Sequence, residues 1–125
     1  MAFKKFRKSK YRASRGEYIT INKNGLFSVT CDAYDNMLKG INHVHLYFDE
    51  EIKLVGIEPL KDKTPDCFNI RAVERGKVKG RSISISAVSF LKHHKINYTA
   101  GKKTYIPKWD SDEKKLIVLD LNNPV

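Results

Sequence analysis

Two stretches of this chain have the residue types and spacing to grip a polyanion. Residues 1–16 hold Lys4, Lys5, Arg7, Lys8, Lys10, Arg12 and Arg15 with no acid. Residues 71–81 hold Arg71, Arg75, Lys77, Lys79 and Arg81 against Glu74. The 125 residues carry a formal net charge of +10, so a tail of +7 and a segment of +4 leave −1 for everything else. Each phosphate neutralised by Lys or Arg releases condensed counterions, so clustered cations point to nucleic acid. Phe3, Phe6 and Tyr11 stand among the tail's cations, where they can stack on bases or pin the tail to its own domain. Lys23, in an Asn-Gly turn, joins the candidate contacts. An acidic protein surface would answer the same charge. A membrane surface fits less well, because the tail lacks an apolar face of helical period and contains Ser9, Ser14 and Gly16.

Other residue types with chemical potential do not assemble into a catalytic set. No Gly-rich phosphate loop precedes a helix, and no His-Glu-x-x-His occurs. His43 and His45 alternate along one strand and share a face, but no third metal ligand accompanies them, so they read as polar strand-face residues. His93 and His94 are adjacent on a short helix, point apart, and read as surface or groove-lining residues. Cys31 stands at a helix start and reads as a small buried residue. Cys31 and Cys67 are too few for a disulfide framework or a four-ligand zinc site. The acids of 49–51 and 110–113 read as solvated turns, not as paired acids beside a pocket. The expectation is a protein that is not an enzyme and carries no cofactor or metal.

The elements that position these residues follow from alternation and turn signals. Tyr18-Ile19-Thr20-Ile21 and 26–30 alternate around Asn22-Lys23-Asn24-Gly25, which predicts a hairpin over 18–30. Thr30 or Asp32 can cap a short helix through Gly40, with Ala33, Tyr34, Met37, Leu38 and Ile41 on one face. Residues 43–48 alternate again, 49–51 turn, and 53–57 pair back until Pro59 stops the strand. A polar linker covers 60–66. Residues 68–73 predict a strand, 74–77 a basic turn, 82–86 a strand, and 87–94 a short helix. Thr104-Tyr105-Ile106 and Trp109 form a strand that Pro107 demotes to an edge or bulge. Residues 115–121 are the last strand.

The order of elements recurs. Phe27, Val29 and Thr30 match Ile83, Ile85 and Ser86, and Tyr34 matches Phe90. Phe48-Asp49 matches Trp109-Asp110, and Leu54-Val55 matches Leu116-Ile117, at offsets of 56 to 62 residues with insertions in loops. A unit of Ile19-x-Ile21, a Gly25 turn, an alternating strand, a short helix and a hairpin ending Gly56-Ile57-Glu58-Pro59 resembles the swapped-hairpin AbrB-like family of bacterial and archaeal regulators and antitoxins. An echo from 68 to 121 extends the resemblance over most of the chain. The resemblance implies two units interleaving their hairpins into one small barrel-like body, and DNA contacts from basic residues of the first turn of each unit. The family's turn usually runs Gly-Arg, with Ile-Pro before the helix. Here Gly25-Leu26 and Val29-Thr30 stand in the first copy, so the implied contacts carry over better to Arg75-Gly76-Lys77 in the second.

The fold expected is therefore α+β, mostly β, with two tandem strand-turn-strand-helix-hairpin units (18–59 and 68–121). Residues 1–16 form a basic flexible tail, and 17–125 a single globular domain. No apolar run approaches the roughly 20 residues of a membrane span, and no apolar segment follows the basic N-terminus as in a secretory signal. The expected setting is cytoplasmic, without a membrane partner. The function expected is nucleic-acid binding by these cations, duplex DNA before single strands or RNA, as a regulator or mobile-element accessory factor. The alternatives are a single-stranded DNA or RNA binder and a non-enzymatic module that docks on an acidic protein partner; a homodimer is also among the expected partners.

Overall fold

The computed structural model describes residues 16–74 and 81–125. The chain is mostly β, with all strands antiparallel in one curled sheet. In chain order the elements are β1 (Ile19–Ile21), β2 (Leu26–Val29), α1 (Cys31–Ala33) running into a π-helical turn (Tyr34–Leu38), β3 (His43–Asp49), β4 (Leu54–Leu60), β5 (Phe68–Glu74), β6 (Arg81–Ser86), α2 (Val88–His93), β7 (Lys103–Tyr105), β8 (Lys108–Trp109) and β9 (Ile117–Asp120). Across the sheet the order is β7-β1-β2-β6-β5-β3-β4-β9-β8. No helix among the described residues is long and apolar enough to cross a membrane.

The edges of this sheet explain its curl. β7 and β8 lie at opposite edges, yet only Ile106 and Pro107 separate them in sequence. Consecutive Cα atoms are about 3.8 Å apart, so Tyr105 and Lys108 lie within roughly 11 Å of each other. The two edges must therefore approach across the buried Pro107. Proline has no N–H to donate, so the ladder breaks there and one stretch of chain serves both edges.

The alternation read from the sequence decides which side of the curl is core. Ile19, Ile21, Phe27, Val29, Ile83 and Ile85 point inward from β1, β2 and β6, while Val44, Val55, Ile57, Ile117 and Leu119 do so from β3, β4 and β9. Phe90 and Leu91 of α2, Ala33 of α1 and Leu38 of the π turn join the same core. Two registers are symmetric about single pairs. β2 meets β6 about Ser28↔Ser84, with Phe27↔Ile85 and Val29↔Ile83 on either side. β4 meets β9 about Gly56↔Val118, with Val55↔Leu119 and Ile57↔Ile117 flanking.

Three local expectations are corrected. The helix after Thr30 is α-helical only over Cys31–Ala33 and then widens into a π turn. That spacing stacks residues five apart, which brings the buried Ala33 and Leu38 onto one side. Pro59 does not stop β4: it pairs with Val44, and the strand runs on to Leu60. β9 covers only Leu54 to Ile57, so at Pro59 the strand has a single ladder neighbour and its missing N–H costs no bond. His93 and His94 do not point apart: their ring centroids are 4.8 Å apart, edge to face, and the half-buried His94 ring also lies 5.3 Å from that of Phe48 and 4.9 Å from that of Phe90.

Candidate nucleic-acid interface

The predicted cations Lys4, Lys5, Arg7, Lys8, Lys10, Arg12, Arg15, Arg75, Lys77 and Lys79 lie outside the described residues. Their attachment points do not. The tail joins the body at Gly16, whose carbonyl oxygen accepts a hydrogen bond from the Thr30 hydroxyl at 2.6 Å. Tyr18 and Thr30 face each other, since the Tyr18 amide donates to Thr30 Oγ1 at 3.1 Å and the Thr30 amide donates back to the Tyr18 carbonyl at 3.1 Å. Thr30 follows the Val29↔Ile83 pair, and β6 continues from Ile83 back through Ser82 to Arg81, which pairs with Glu74. Segment 75–80 thus departs from the same end of the sheet as the tail. β1 and β6 are separated only by β2, which sets the two attachments about 10 Å apart across the strands.

Thr30 holds this end together. Its hydroxyl donates to Gly16 and accepts from the amides of Tyr18 and Ala33, the latter at 3.3 Å as the N-cap of α1. One donor and two acceptor sites are all used. Thr30→Ala leaves those backbone groups unpartnered and is expected to cost about 1–2 kcal/mol, while Thr30→Ser keeps most of the stability. Urea unfolding of the three proteins checks this; equal midpoints for all three would show that the hydroxyl does not fasten the tail root.

The outward residues of the adjoining strands form a polar row. Thr104, Thr20, Ser28, Ser84 and Arg71 lie side by side across β7, β1, β2, β6 and β5. Thr20 and Thr104 share a 2.8 Å hydroxyl–hydroxyl bond, and Asn22 Nδ2 donates to Ser28 Oγ at 2.5 Å. Arg71 is exposed at the end of the row. Lys23 is also exposed, but its turn sits beside the Leu26↔Ser86 pair, at the far end of β6 from Arg81. Gly25 shapes that turn. Its φ of +83° is open to glycine, and a Cβ there would collide with Val88 at the start of α2. The predicted cations are therefore divided: two attachment points share one end, Arg71 lies midway, and Lys23 stands at the other end. Hydroxyls and amides between them are ordinary phosphate-oxygen partners, and their small side chains let a backbone come close. This row was legible as the polar half of Ile-Thr-Ile and Ser-Ile-Ser-Ile-Ser, but its lateral alignment depends on register.

His43 and His45 lie on β3 with local partners. His43 Nδ1 lies 2.8 Å from Asn69 Oδ1. His45 Nδ1 lies 3.2 Å from Glu58 Oε1, and its Nε2 lies 2.8 Å from the Thr64 hydroxyl. The Tyr47 hydroxyl donates to the same Glu58 oxygen at 2.8 Å, and that bond holds the phenol above its ordinary pKa. No group of three or more His, Cys, Asp and Glu among the described residues could hold a metal ion. The acids differ from expectation in one respect: Asp49, the last residue of β3, and Asp110, after β8, border one notch on the outer face of β3, β4 and β9.

Set against family models, curated proteins and solved structures, the chain matches none.

Proposed function

We propose that this chain binds nucleic acid, duplex DNA in the first instance, through its basic tail and the 71–81 segment acting as one grip. The observation that carries the reading is the common end of the sheet from which both segments leave, at Gly16 and at Glu74 and Arg81. Seven cations in the tail and five in the second segment are far apart in sequence, and each alone is a weak phosphate site. Leaving from one end of the sheet, the two segments can meet phosphates of the same duplex. The hydroxyl row beside them adds uncharged donors, and its described residues include no carboxylate to oppose a phosphate track.

The body that presents this grip is read as two like units in one chain, in the manner of the AbrB-like family. Exchanging the units at offset 56 carries Phe27↔Ile85 onto Ile83↔Val29 and leaves Ser28↔Ser84 in place. At offset 62, Val55↔Leu119 becomes Ile117↔Ile57 and Gly56↔Val118 stays put. Lys53 and Lys114, at positive φ of 58° and 55°, occupy like places in the 49–54 and 110–116 turns. On this reading the chain is a covalent pseudo-dimer acting as a regulator or accessory factor of a mobile element.

Fluorescence anisotropy with a short labelled duplex, and with one of its strands alone, tests the binding. At about 50 and 200 mM salt, log affinity for duplex is expected to fall by roughly 0.9 per phosphate contacted for each decade of salt. Tighter binding to the single strand would move the reading to stacking on Phe3, Phe6 and Tyr11. No saturable binding to either would overturn it.

A further inference from the structure

We propose that the notch between Asp49 and Asp110 is a docking site for a cationic peptide segment of a partner protein, one with an apolar side chain between its basic residues. The notch is built by register. Tyr47, Gly56 and Val118 lie side by side across β3, β4 and β9. With no side chain at Gly56, Leu116 folds down over the row, and Tyr47, Leu54, Leu116 and Val118 wall a notch beside it. The result is an open notch of about 250 Å³. Leu116 reaches over the glycine so closely that a Cβ at position 56 would stand 3.0 Å from its Cδ1.

The chemistry of the rim selects the occupant. The walls are apolar and partly open to solvent, with Tyr47 48% exposed. Among the described residues, the only charged side chains in the lining are the two carboxylates, Asp49 and Asp110. In a chain of net charge +10 this lining is of opposite sign to the whole. Asp49 keeps its place by accepting from the amides of Glu51 at 3.0 Å and Ile52 at 3.3 Å, which leaves its second oxygen for an incoming cation. An anionic or purely polar ligand would leave either the carboxylates or the apolar walls unanswered. A peptide laying Leu or Phe against these apolar walls, with Lys or Arg on either side, satisfies both, and the paired charges fix its register. This site is independent of the nucleic-acid grip, which lies on β1, β2, β5 and β6.

The test uses a fluorescein-labelled peptide of the pattern Lys-Lys-Leu-Phe-Lys-Lys, with Lys-Lys-Ala-Ala-Lys-Lys and Glu-Glu-Leu-Phe-Glu-Glu as comparators. Full-length protein is expected to bind the first at least about tenfold more tightly than either comparator. Asp49→Asn with Asp110→Asn keeps the turn acceptors, removes the charge, and is expected to reduce that affinity about tenfold. Leu116→Ala reduces it by removing a wall, with far-UV circular dichroism confirming the fold. Equal affinity for the Leu-Phe and Ala-Ala peptides, or an unchanged affinity in the double Asn variant, overturns the proposal. Binding that emerges only after Lys4, Lys5 and Arg7 are changed to Gln also overturns it, because the notch would then belong to the chain's own tail.

Discussion

Replacing Lys4, Lys5, Arg7, Lys8, Lys10, Arg12 and Arg15 together by glutamine will flatten the salt dependence of duplex binding by about 6 in log–log slope. That figure takes one phosphate per cation at roughly 0.9 each. Over a change from about 50 to 200 mM salt, the tail's share is then close to four decades of affinity. The fold should survive, because the buried apolar residues that make the described core all come from Ile19 onward. Thermal unfolding of the variant should therefore match the parent protein. The second segment answers separately: Arg75→Gln, Lys77→Gln and Arg81→Gln should each remove about 0.9 from the slope, and an Arg that reads a base edge should also relax sequence preference. If the tail variant keeps both affinity and slope, the tail is no phosphate grip, and docking on an acidic protein gains the stronger case. If the tail matters but the second segment does not, the shared end of the sheet has been given a meaning it does not have.

Phe27→Ala is expected to be the most damaging single change in the body. The ring is fully buried in β2, facing Ile21 across β1 and Ile85 across β6. Phe27 therefore belongs to the interlock of two hairpins distant in sequence, and its loss leaves a cavity that neighbouring strands cannot close. Phe→Ala in a core costs about 3–5 kcal/mol, against a total stability of roughly 5–15 kcal/mol for a domain. Ser28→Ala, one residue along the same strand, faces the opposite way and should stay within about 0.5 kcal/mol. Urea unfolding measures both: the midpoint should fall steeply for Phe27→Ala at an unchanged slope, and hardly at all for Ser28→Ala. A small shift for Phe27→Ala would mean that the inward face of β2 is not the packed centre.

Alternation alone was enough to find nearly every strand. Ile19, Ile21, Phe27, Val29, Ile83 and Ile85 are apolar at period two, and a strand with one buried face has no other register available without exposing them. The turn at 22–25 was legible because Asn-Gly supplies positive φ, and Gly25 indeed has it. Short helices were legible as positions but not as types. A π turn differs from an α turn by one residue of spacing, and it is the burial of both Ala33 and Leu38 that selects it. Pro59 misled because a proline stops a strand only where its N–H would be needed, and that depends on which strands lie beside it.

The charge of the tail and of residues 71–81, the alternating faces and the turn chemistry belong to the sequence by itself, because each depends on residue identity within a few positions. Which segments become neighbours depends on the pairing of β2 with β6 and of β4 with β9, between residues about 55 to 65 apart. Only that pairing brings Gly16 and Arg81 to one end of the sheet and sends Lys23 to the other. It also lines up Thr104, Thr20, Ser28, Ser84 and Arg71 in one row. It sets Gly56 between Tyr47 and Val118, and carries Asp49 and Asp110 from separate parts of the chain to the same notch. Local patterns cannot encode such contacts: backbone hydrogen bonding is the same for every residue but proline, and the choice among partners is made by which apolar side chains fill the shared core.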